Sequence, residues 1–318
     1  MKKIIILLMV ISLLFSMTLI SFAEKFPEKQ ITIVVQAAAG GGSDTNSRTM
    51  GAAVESVLGV PVVAINKTGA AGAVAMSYVA SREPDGYTIG HLPVELSMLE
   101  ALGYADVNPN NFDLIGRVGY FPASVVVNAD SPWQTFDEFV AYAKENPGAI
   151  TVGNSGIGSI WHIAAAKMEK ELGLEFTHVP FTGAATMKTA LLGGHIAVST
   201  ASPSENAGPI EAGQLRMLAV MADKRSSLFP DVPTLKELGY DIQTTAWLGF
   251  GCPKGLPEDV KSTLADAFKQ GFESEMYQEK MKAYGVELDW MGPDEFHEFA
   301  MEEYETYSEL IPELGLTQ

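Results

Sequence analysis

Cysteine and basic residues are scarce in this chain of 318 residues, and each scarcity excludes a class of protein. Cys252 is the single cysteine, so no intramolecular disulfide can form and a structural zinc site is not expected. Lysine and arginine number 21 against 39 acidic residues, which gives a formal net charge of −18. Nucleic-acid binders and proteins that dock on anionic lipid head groups need a basic face, so the net charge argues against both classes.

Long hydrophobic runs are absent except at the start of the chain. Lys2 and Lys3 precede an uncharged run over residues 4–20, and Ser21-Phe22-Ala23 has small residues at the positions that a signal peptidase reads. We therefore predict a signal peptide over residues 1–23, cleaved before Glu24, and a periplasmic or otherwise extracytoplasmic protein that is soluble after cleavage. The alternative is an uncleaved anchor helix, for which this run is at the short limit.

Sequence motifs of nucleotide-binding, metal-binding and hydrolytic enzymes are missing too. Neither glycine-rich loop completes G-x-G-x-x-G, and no P-loop is present. His297-Glu298 lacks the second histidine of H-E-x-x-H, because Met301 stands in its place. Ile157 replaces the second glycine of a nucleophile elbow. The sequence thus predicts no metal site, no cofactor and no enzymatic activity.

Strands and helices alternate along most of the remaining chain. β-branched runs such as Ile31 to Val35 are typical of buried strands. An amphipathic segment follows from Asp44, where apolar residues recur at three- and four-residue spacing until Gly59. This order predicts an α/β fold with parallel sheets covered by helices on both faces. The last third is predicted to be more helical, with helices that open at Pro257 and Pro293.

Two small-residue loops share one design, each between a strand and a helix start. The first is Ala37 to Asp44 and the second is Asn154 to Ser159. Their glycines let the backbone approach a ligand, and the first N–H groups of a helix have no acceptor within that helix. Each loop is a candidate anion cradle, and the alternative is an ordinary strand-to-helix turn capped by Ser or Asp. Two such loops, one in each half of the chain, favour a ligand cleft.

These loops belong to an ordered set of short motifs that covers nearly the whole chain after residue 24. The main segments are, in order, Ala38-Ala39-Gly40-Gly41-Gly42-Ser43-Asp44, Asn66 with Gly69 and Ala71-Gly72, Pro84-Asp85-Gly86-Tyr87-Thr88, Gly153 to Ser159 with His162, Val179 to Gly183, Gly213-Gln214-Leu215-Arg216, and Pro230 to Leu235. With this set the chain resembles the solute-binding proteins of tripartite tricarboxylate transporters, the Bug or TctC-like receptors. Single segments are weak signals, but the ordered set is specific.

The resemblance implies a two-domain, periplasmic-binding-protein-like fold of type II, a Venus flytrap with two crossovers and a ligand cleft between the domains. Domain 1 is then residues 24–124 and 225–318, and domain 2 is residues 125–224. The implied function is that of a receptor for a small carboxylate solute, whether a di- or tricarboxylate, an amino acid or an aromatic acid. Its implied partners are the large and small integral membrane subunits of a secondary transporter.

By the same resemblance, the two loops act as a pincer on a carboxylate of the solute. We call residues 39–44 the first arm and residues 155–159 the second arm. The implied ligand-binding residues are Ala39, Gly40, Gly41, Gly42, Ser43 and Asp44 of the first arm, Ser155, Gly156, Ile157, Gly158 and Ser159 of the second arm, and His162, Phe181, Thr182 and Gly183 beside them. Gln36-Ala37 and Phe181-Thr182 depart from the residues usual in the family, so the identity of the solute is not transferred from any relative.

Several side chains near the arms allow more than one role. Asp44 either caps the first helix or anchors an amino group of the solute, and Arg48 either assists the ligand or is structural. His162 either touches the ligand or makes a structural hydrogen bond. Two other functions stay open: an exported hydrolase or lyase that uses Ser155 and His162, and a sensory receptor with the same binding fold.

Overall fold

The computed structural model describes residues 26–317, and the predicted signal peptide over residues 1–23 lies outside them. Within the described range, one continuous network of strands runs through the molecule. The strands are β1 (Ile31–Val35), β2 (Val62–Asn66), β3 (Thr88–His91), β4 (Phe112–Asn128), β5 (Thr151–Asn154), β6 (Thr177–Pro180), β7 (Val198–Ser199), β8 (Leu215–Met221), β9 (Thr245–Pro253) and β10 (Glu287–Met291).

Helices connect most of these strands. They are α1 (Gly42–Leu58), α2 (Ala73–Ala80), α3 (Phe136–Glu145), α4 (Ile160–Leu172), α5 (Ala184–Leu192), α6 (Pro203–Glu211), α7 (Glu258–Glu273), α8 (Glu275–Ala283) and α9 (Pro293–Glu313). Gly59 ends α1 in the left-handed conformation with φ of 72°, as its position after the amphipathic run predicts. None of the helices between residues 26 and 317 is both long and apolar enough to cross a membrane.

The sheet is mixed, so the prediction of purely parallel sheets is only partly right. Strands β1, β2 and β3 pair in parallel, and so do β5, β6 and β7. In contrast, β9 pairs antiparallel with both β3 and β4, and β4 is antiparallel to β7, β8 and β10. The parallel arrangement was predicted because a helix between two strands allows them to pair in parallel. The antiparallel pairs are formed by strands that no such strand–helix–strand unit joins.

Strand β4 joins the two parts of the sheet. It pairs with β9 from Phe112 to Pro122 and with β8 from Ala123 to Asn128. The chain passes back from the second part of the sheet to the first at Thr244, beside the point where β4 changes partner. There Thr244 accepts a backbone hydrogen bond from Ala123 and donates one to Met221. Two chain segments, β4 and the segment at Thr244, therefore connect the part of the sheet that contains β1–β3 with the part that contains β5–β7. Within each part, the parallel strands end at one edge.

Apolar packing fixes both sets. The strand β1 is buried on both faces, and the rings of Phe250 and Phe268 pack with centroids 5.0 Å apart beneath α7. Helix α9 reaches the sheet through Phe296, whose ring is 5.3 Å from that of Trp247. The Cys252 thiol is completely buried in this core, and burial raises its pKa far above the ordinary range.

Candidate functional site

The first arm connects β1 to α1 and leaves the helix start bare. Gly41 is the N-cap residue, and no side chain caps the helix. The N–H groups of Gly42, Ser43 and Asp44 occupy the first helical positions, where no acceptor is available within the helix. The positive end of the helix dipole lies at the same place. This end of α1 can therefore bind an anion through its backbone.

The buried carboxylate of Asp44 fixes the conformation of the first arm through hydrogen bonds. Its carboxylate accepts hydrogen bonds from the Gly40 N–H at 2.9 Å, Arg48 Nε at 3.0 Å and Asn66 Nδ2 at 2.8 Å. The hydrogen bond from Arg48 is the largest cause that lowers the pKa of Asp44 to about 2. Asp44 is thus not the helix cap, because Gly41 occupies that position, and its oxygen atoms are already engaged by the protein. Arg48 is structural for the same reason.

The second arm connects β5 to α4 and is held by its own hydrogen bonds. Ser159 caps α4 by accepting from the His162 N–H, and Asn154 Oδ1 accepts from the Gly156 N–H at 3.1 Å. The Gly158 N–H donates to His162 Nδ1, also at 3.1 Å. Gly156 and Gly158 adopt φ angles of 131° and 74°, which side-chain-bearing residues rarely adopt.

His162 supports the backbone of this arm and is not paired with Ser155. The imidazole is 7% exposed, and burial lowers its pKa to about 4, so it is neutral at neutral pH. Its other neighbour is the ring of His178, with centroids 4.6 Å apart. Among residues 26–317, no hydrogen bond joins Ser155 to His162. The geometry of a nucleophile activated by a base is therefore missing from this pair.

Of Phe181, Thr182 and Gly183, the structure gives contacts with the second arm and its preceding strand for Phe181. The Phe181 N–H continues the β5–β6 ladder by donating to the carbonyl of Asn154, and the Phe181 carbonyl lies 3.8 Å from where a Cβ on Gly156 would be. Thr182 is exposed. Gly183 is the N-cap of α5 and, like Gly41, has no side-chain cap.

Aromatic residues that sequence reasoning missed flank the first arm. A Cβ on Gly42 would lie 3.4 Å from Tyr284 Cε1 and 3.6 Å from Phe121 Cε2, and the two rings pack with centroids 6.3 Å apart. Tyr284 follows α8 and is 38% exposed. No local sequence signal marks these residues, because Phe121 and Tyr284 are more than 70 residues from the arm along the chain.

Two close contacts connect the parts of the molecule that carry the arms. A Cβ on Gly158 would lie 2.7 Å from Leu102 Cδ2, and Leu102 lies between β3 and β4. A Cβ on Gly285 would lie 2.6 Å from Ser204 Cβ, in the first turn of α6. Gly285 is the neighbour of Tyr284. The second arm therefore contacts Leu102, and the residue next to Tyr284 contacts α6. Among the described residues, 26–317, no hydrogen bond joins the two arms directly.

A sizeable cavity lies elsewhere. It measures about 580 Å³ and opens at the start of α9, between Lys254, His297 and Glu298. The adjacent carboxylate of Asp113 is already satisfied by Lys254 Nζ and the N–H groups of Gly255 and Leu256. No group of histidine, cysteine or acidic residues in the described part of the chain is arranged to hold a metal ion.

Comparisons with known proteins agree over most of the chain. The model of the tripartite tricarboxylate transporter family receptor matches residues 47–316. A Cupriavidus necator protein, described as the UPF0065 protein in the gbd 5' region, is 36% identical over 299 residues, which are 93% of this chain and 90% of that protein.

Solved structures give the same result. A TctC solute binding protein from Polaromonas, without ligand, is 34% identical with a TM-score of 0.82, and the match covers 91% of this chain and 99% of that chain. The structure of R. palustris Rpa4515 with adipate is 25% identical with a TM-score of 0.79, and covers 91% and 98% of the two chains.

Proposed function

The chain belongs to the tripartite tricarboxylate transporter receptor family, and from that membership we propose that it captures a small carboxylate solute and presents it to a transporter in the membrane. The fold is that of a two-domain periplasmic binding protein, which closes on a ligand by hinge motion. We assign residues 24–124 and 225–318 to one domain and residues 125–224 to the other. The change of β4 partner at Ala123 supports this division.

The bare start of α1 carries the proposal. Four helices, α3, α4, α6 and α8, begin with a Ser or Thr side-chain cap. Helix α1 begins at Gly41 without one, as α2, α5, α7 and α9 also begin without one, and among these α1 is the helix that follows the glycine-rich first arm. A carboxylate satisfies such N–H groups, and each charge-assisted hydrogen bond contributes about 1.5–3 kcal/mol. Several of them reach micromolar affinity, about −8 kcal/mol, after the cost of ordering the ligand.

Apolar side chains near the arms support a solute with a hydrocarbon body. Ile157, at the tip of the second arm, is 58% exposed, and Tyr284 is 38% exposed beside Gly42. Phe121 and Phe181 are half-buried next to the two arms. Apolar side chains next to a few polar donors are the usual lining of small-molecule sites. A short aliphatic dicarboxylate such as adipate, which is bound in the related Rpa4515 structure, fits this chemistry.

The remaining parts of the proposal follow from the family. We propose that residues 1–23 direct export, that the protein acts in the periplasm, and that its partners are the large and small membrane subunits of the transporter. Catalysis is not proposed, because Ser155 and His162 share no hydrogen bond in the described structure. A sensory receptor would bind the same solute, and uptake of radiolabelled solute by cells with and without the protein distinguishes the two roles.

A thermal-shift screen tests solute capture. The panel contains hexanoate, adipate, malate, citrate, glutamate and benzoate, with adipamide as the uncharged counterpart of adipate. An acid present at 100 times its dissociation constant should stabilise the protein by about 2.7 kcal/mol, and calorimetry then measures its affinity. Failure of every acid to raise the melting temperature would overturn the proposal. An equal shift with adipamide would show that carboxylate recognition is wrong.

A further inference from the structure

A chain of three hydrogen-bonded side chains ends at the first arm. Gln36, the residue after β1, donates from Nε2 to Ser43 Oγ at 2.9 Å, and its Oε1 lies 3.0 Å from Nδ1 of His91. His91 ends β3 and is completely buried, whereas Gln36 and Ser43 are half-buried. Gly72 packs on the stem of Gln36, since a Cβ there would lie only 3.1 Å from Gln36 Cγ. These linked side chains thus extend from the buried core at His91 to the first arm at Ser43.

Burial sets the charge and the tautomer of His91. Desolvation lowers the pKa of His91 to about 3, so the imidazole is neutral at neutral pH and carries one N–H. Its Nε2 is buried without a hydrogen-bond partner among the described residues. A buried N–H without an acceptor is rarer than a buried acceptor without a donor. The proton therefore lies on Nδ1 and is donated to Gln36 Oε1.

The orientation of the Gln36 amide then decides what the Ser43 hydroxyl can do. Because His91 holds Oε1, the NH₂ group of Gln36 faces Ser43 Oγ, which accepts its hydrogen bond. An NH₂ group has no acceptor to offer in return. Within residues 26–317, the structure gives Ser43 Oγ no other hydrogen bond, so its single proton is available to a ligand.

Building on the proposed function, we propose that His91 and Gln36 are a positioning pair that presents the Ser43 hydroxyl as a hydrogen-bond donor to the carboxylate of the captured solute. The donor is oriented before the solute arrives, so binding does not have to order it. A carboxylate oxygen accepts this hydrogen bond, whereas the NH₂ side of a carboxamide cannot.

A double-mutant cycle with adipate as the probe tests the pair. Gln36→Met keeps the length of the side chain and removes both of its hydrogen bonds, so adipate should bind roughly two- to tenfold more weakly. In a Ser43→Ala background the same substitution should cause no further loss. Gln278→Met is the matched control, because it removes one amide hydrogen bond, to the Phe272 carbonyl, outside the site. Unchanged affinity for Gln36→Met, or an equal loss in both backgrounds, would overturn the proposal.

A spectroscopic measurement tests the orientation without any solute. Long-range proton–nitrogen correlation spectra of ¹⁵N-labelled protein should show His91 as the neutral tautomer with its proton on Nδ1. The opposite tautomer would reverse the Gln36 amide and overturn the positioning role. If every acid of the screening panel fails to bind the unmodified protein, the proposed function fails, and the role of Ser43 falls with it. Adipate binding with the wrong tautomer refutes the positioning pair alone.

Discussion

At the scale of residues, the polar side chains nearest the arms turn toward the backbone of the protein. Asp44 accepts from Gly40, and His162 accepts from Gly158, so each arm is braced by one titratable group in the first turn of its helix. Sequence reasoning found both residues but left their roles open. The structure assigns them to the shape of the arms, and the amides at the bare start of α1 keep no acceptor within the helix.

The bracing by His162 predicts a pH-dependent stability. Its folded-state pKa of about 4 lies below the ordinary 6.5, so the unfolded chain takes up a proton first as the pH falls. Stability is therefore full above pH 6.5 and is lost between pH 6.5 and 4, by about 3 kcal/mol from this group. His162→Asn keeps an acceptor near Gly158 and removes the titration. Urea unfolding between pH 4.5 and 6 should show a slope shallower by up to about 1.4 kcal/mol per pH unit.

A second histidine provides the control for this measurement. His195 is exposed on the segment before β7, far along the chain from either arm. His195→Asn removes a histidine without touching the second arm, so an effect seen with both substitutions comes from the loss of a histidine and not from the bracing of the arm. Equal slopes for His162→Asn and the unmodified protein would contradict the neutral, bracing role of His162.

At the scale of elements, local pattern predicted the strands and helices that carry the site. The β-branched run of β1, the amphipathic face of α1 and the glycine-serine loop before α4 are each set by neighbours in sequence. The strands β7, β9 and β10 and the first half of β4 were not predicted. Gly116, Gly119 and Pro122 interrupt the β4 pattern, and its strand state depends on long-range partners such as β9.

The same distinction holds for the site itself. The arms were predictable because glycine and serine between a strand and a helix have a direct backbone consequence. Tyr284, Phe121 and the pair His91–Gln36 were not, since their importance comes only from contacts between distant segments. Hydrogen-bond partners separated by 55 residues, as Gln36 and His91 are, leave no periodic signal in a single sequence.

The bare start of α1 gives a prediction about Gly42. Gly42→Ala should leave thermal stability unchanged or raise it slightly, because alanine is favoured over glycine in a helix and its methyl group meets only ordinary contacts with Tyr284 and Phe121. The methyl group should nevertheless fill the gap between the amides and the aromatic wall. Adipate affinity measured by calorimetry is expected to fall at least tenfold, about 1.4 kcal/mol.

Gly208→Ala is the matched control for this substitution. Gly208 is also helical, in α6, and nothing lies within 4 Å of the place that a Cβ would take. The control should share the stability effect and keep the affinity. Equal affinity for Gly42→Ala and Gly208→Ala would place the solute away from the start of α1.

At the scale of the whole molecule, negative charge opposes the approach of an anionic solute. The formal charge of −18 repels a dicarboxylate at long range, and only short-range donors hold it once it has arrived. The association rate of adipate should therefore rise with salt between about 10 and 150 mM ionic strength, over which the Debye length shrinks from ~30 to ~8 Å. Stopped-flow fluorescence measures this rate, and a rate that falls with salt would indicate a local positive field around the arms.

The sealed thiol of Cys252 has a practical consequence for this receptor. Because the one sulfhydryl group of the chain is buried and protonated, maleimide reagents would leave the native protein unlabelled. A cysteine introduced at the exposed tip position Ile157 would then be the single attachment point for an environment-sensitive dye. A fluorescent biosensor for organic acids could therefore be made from this protein without first removing a native cysteine.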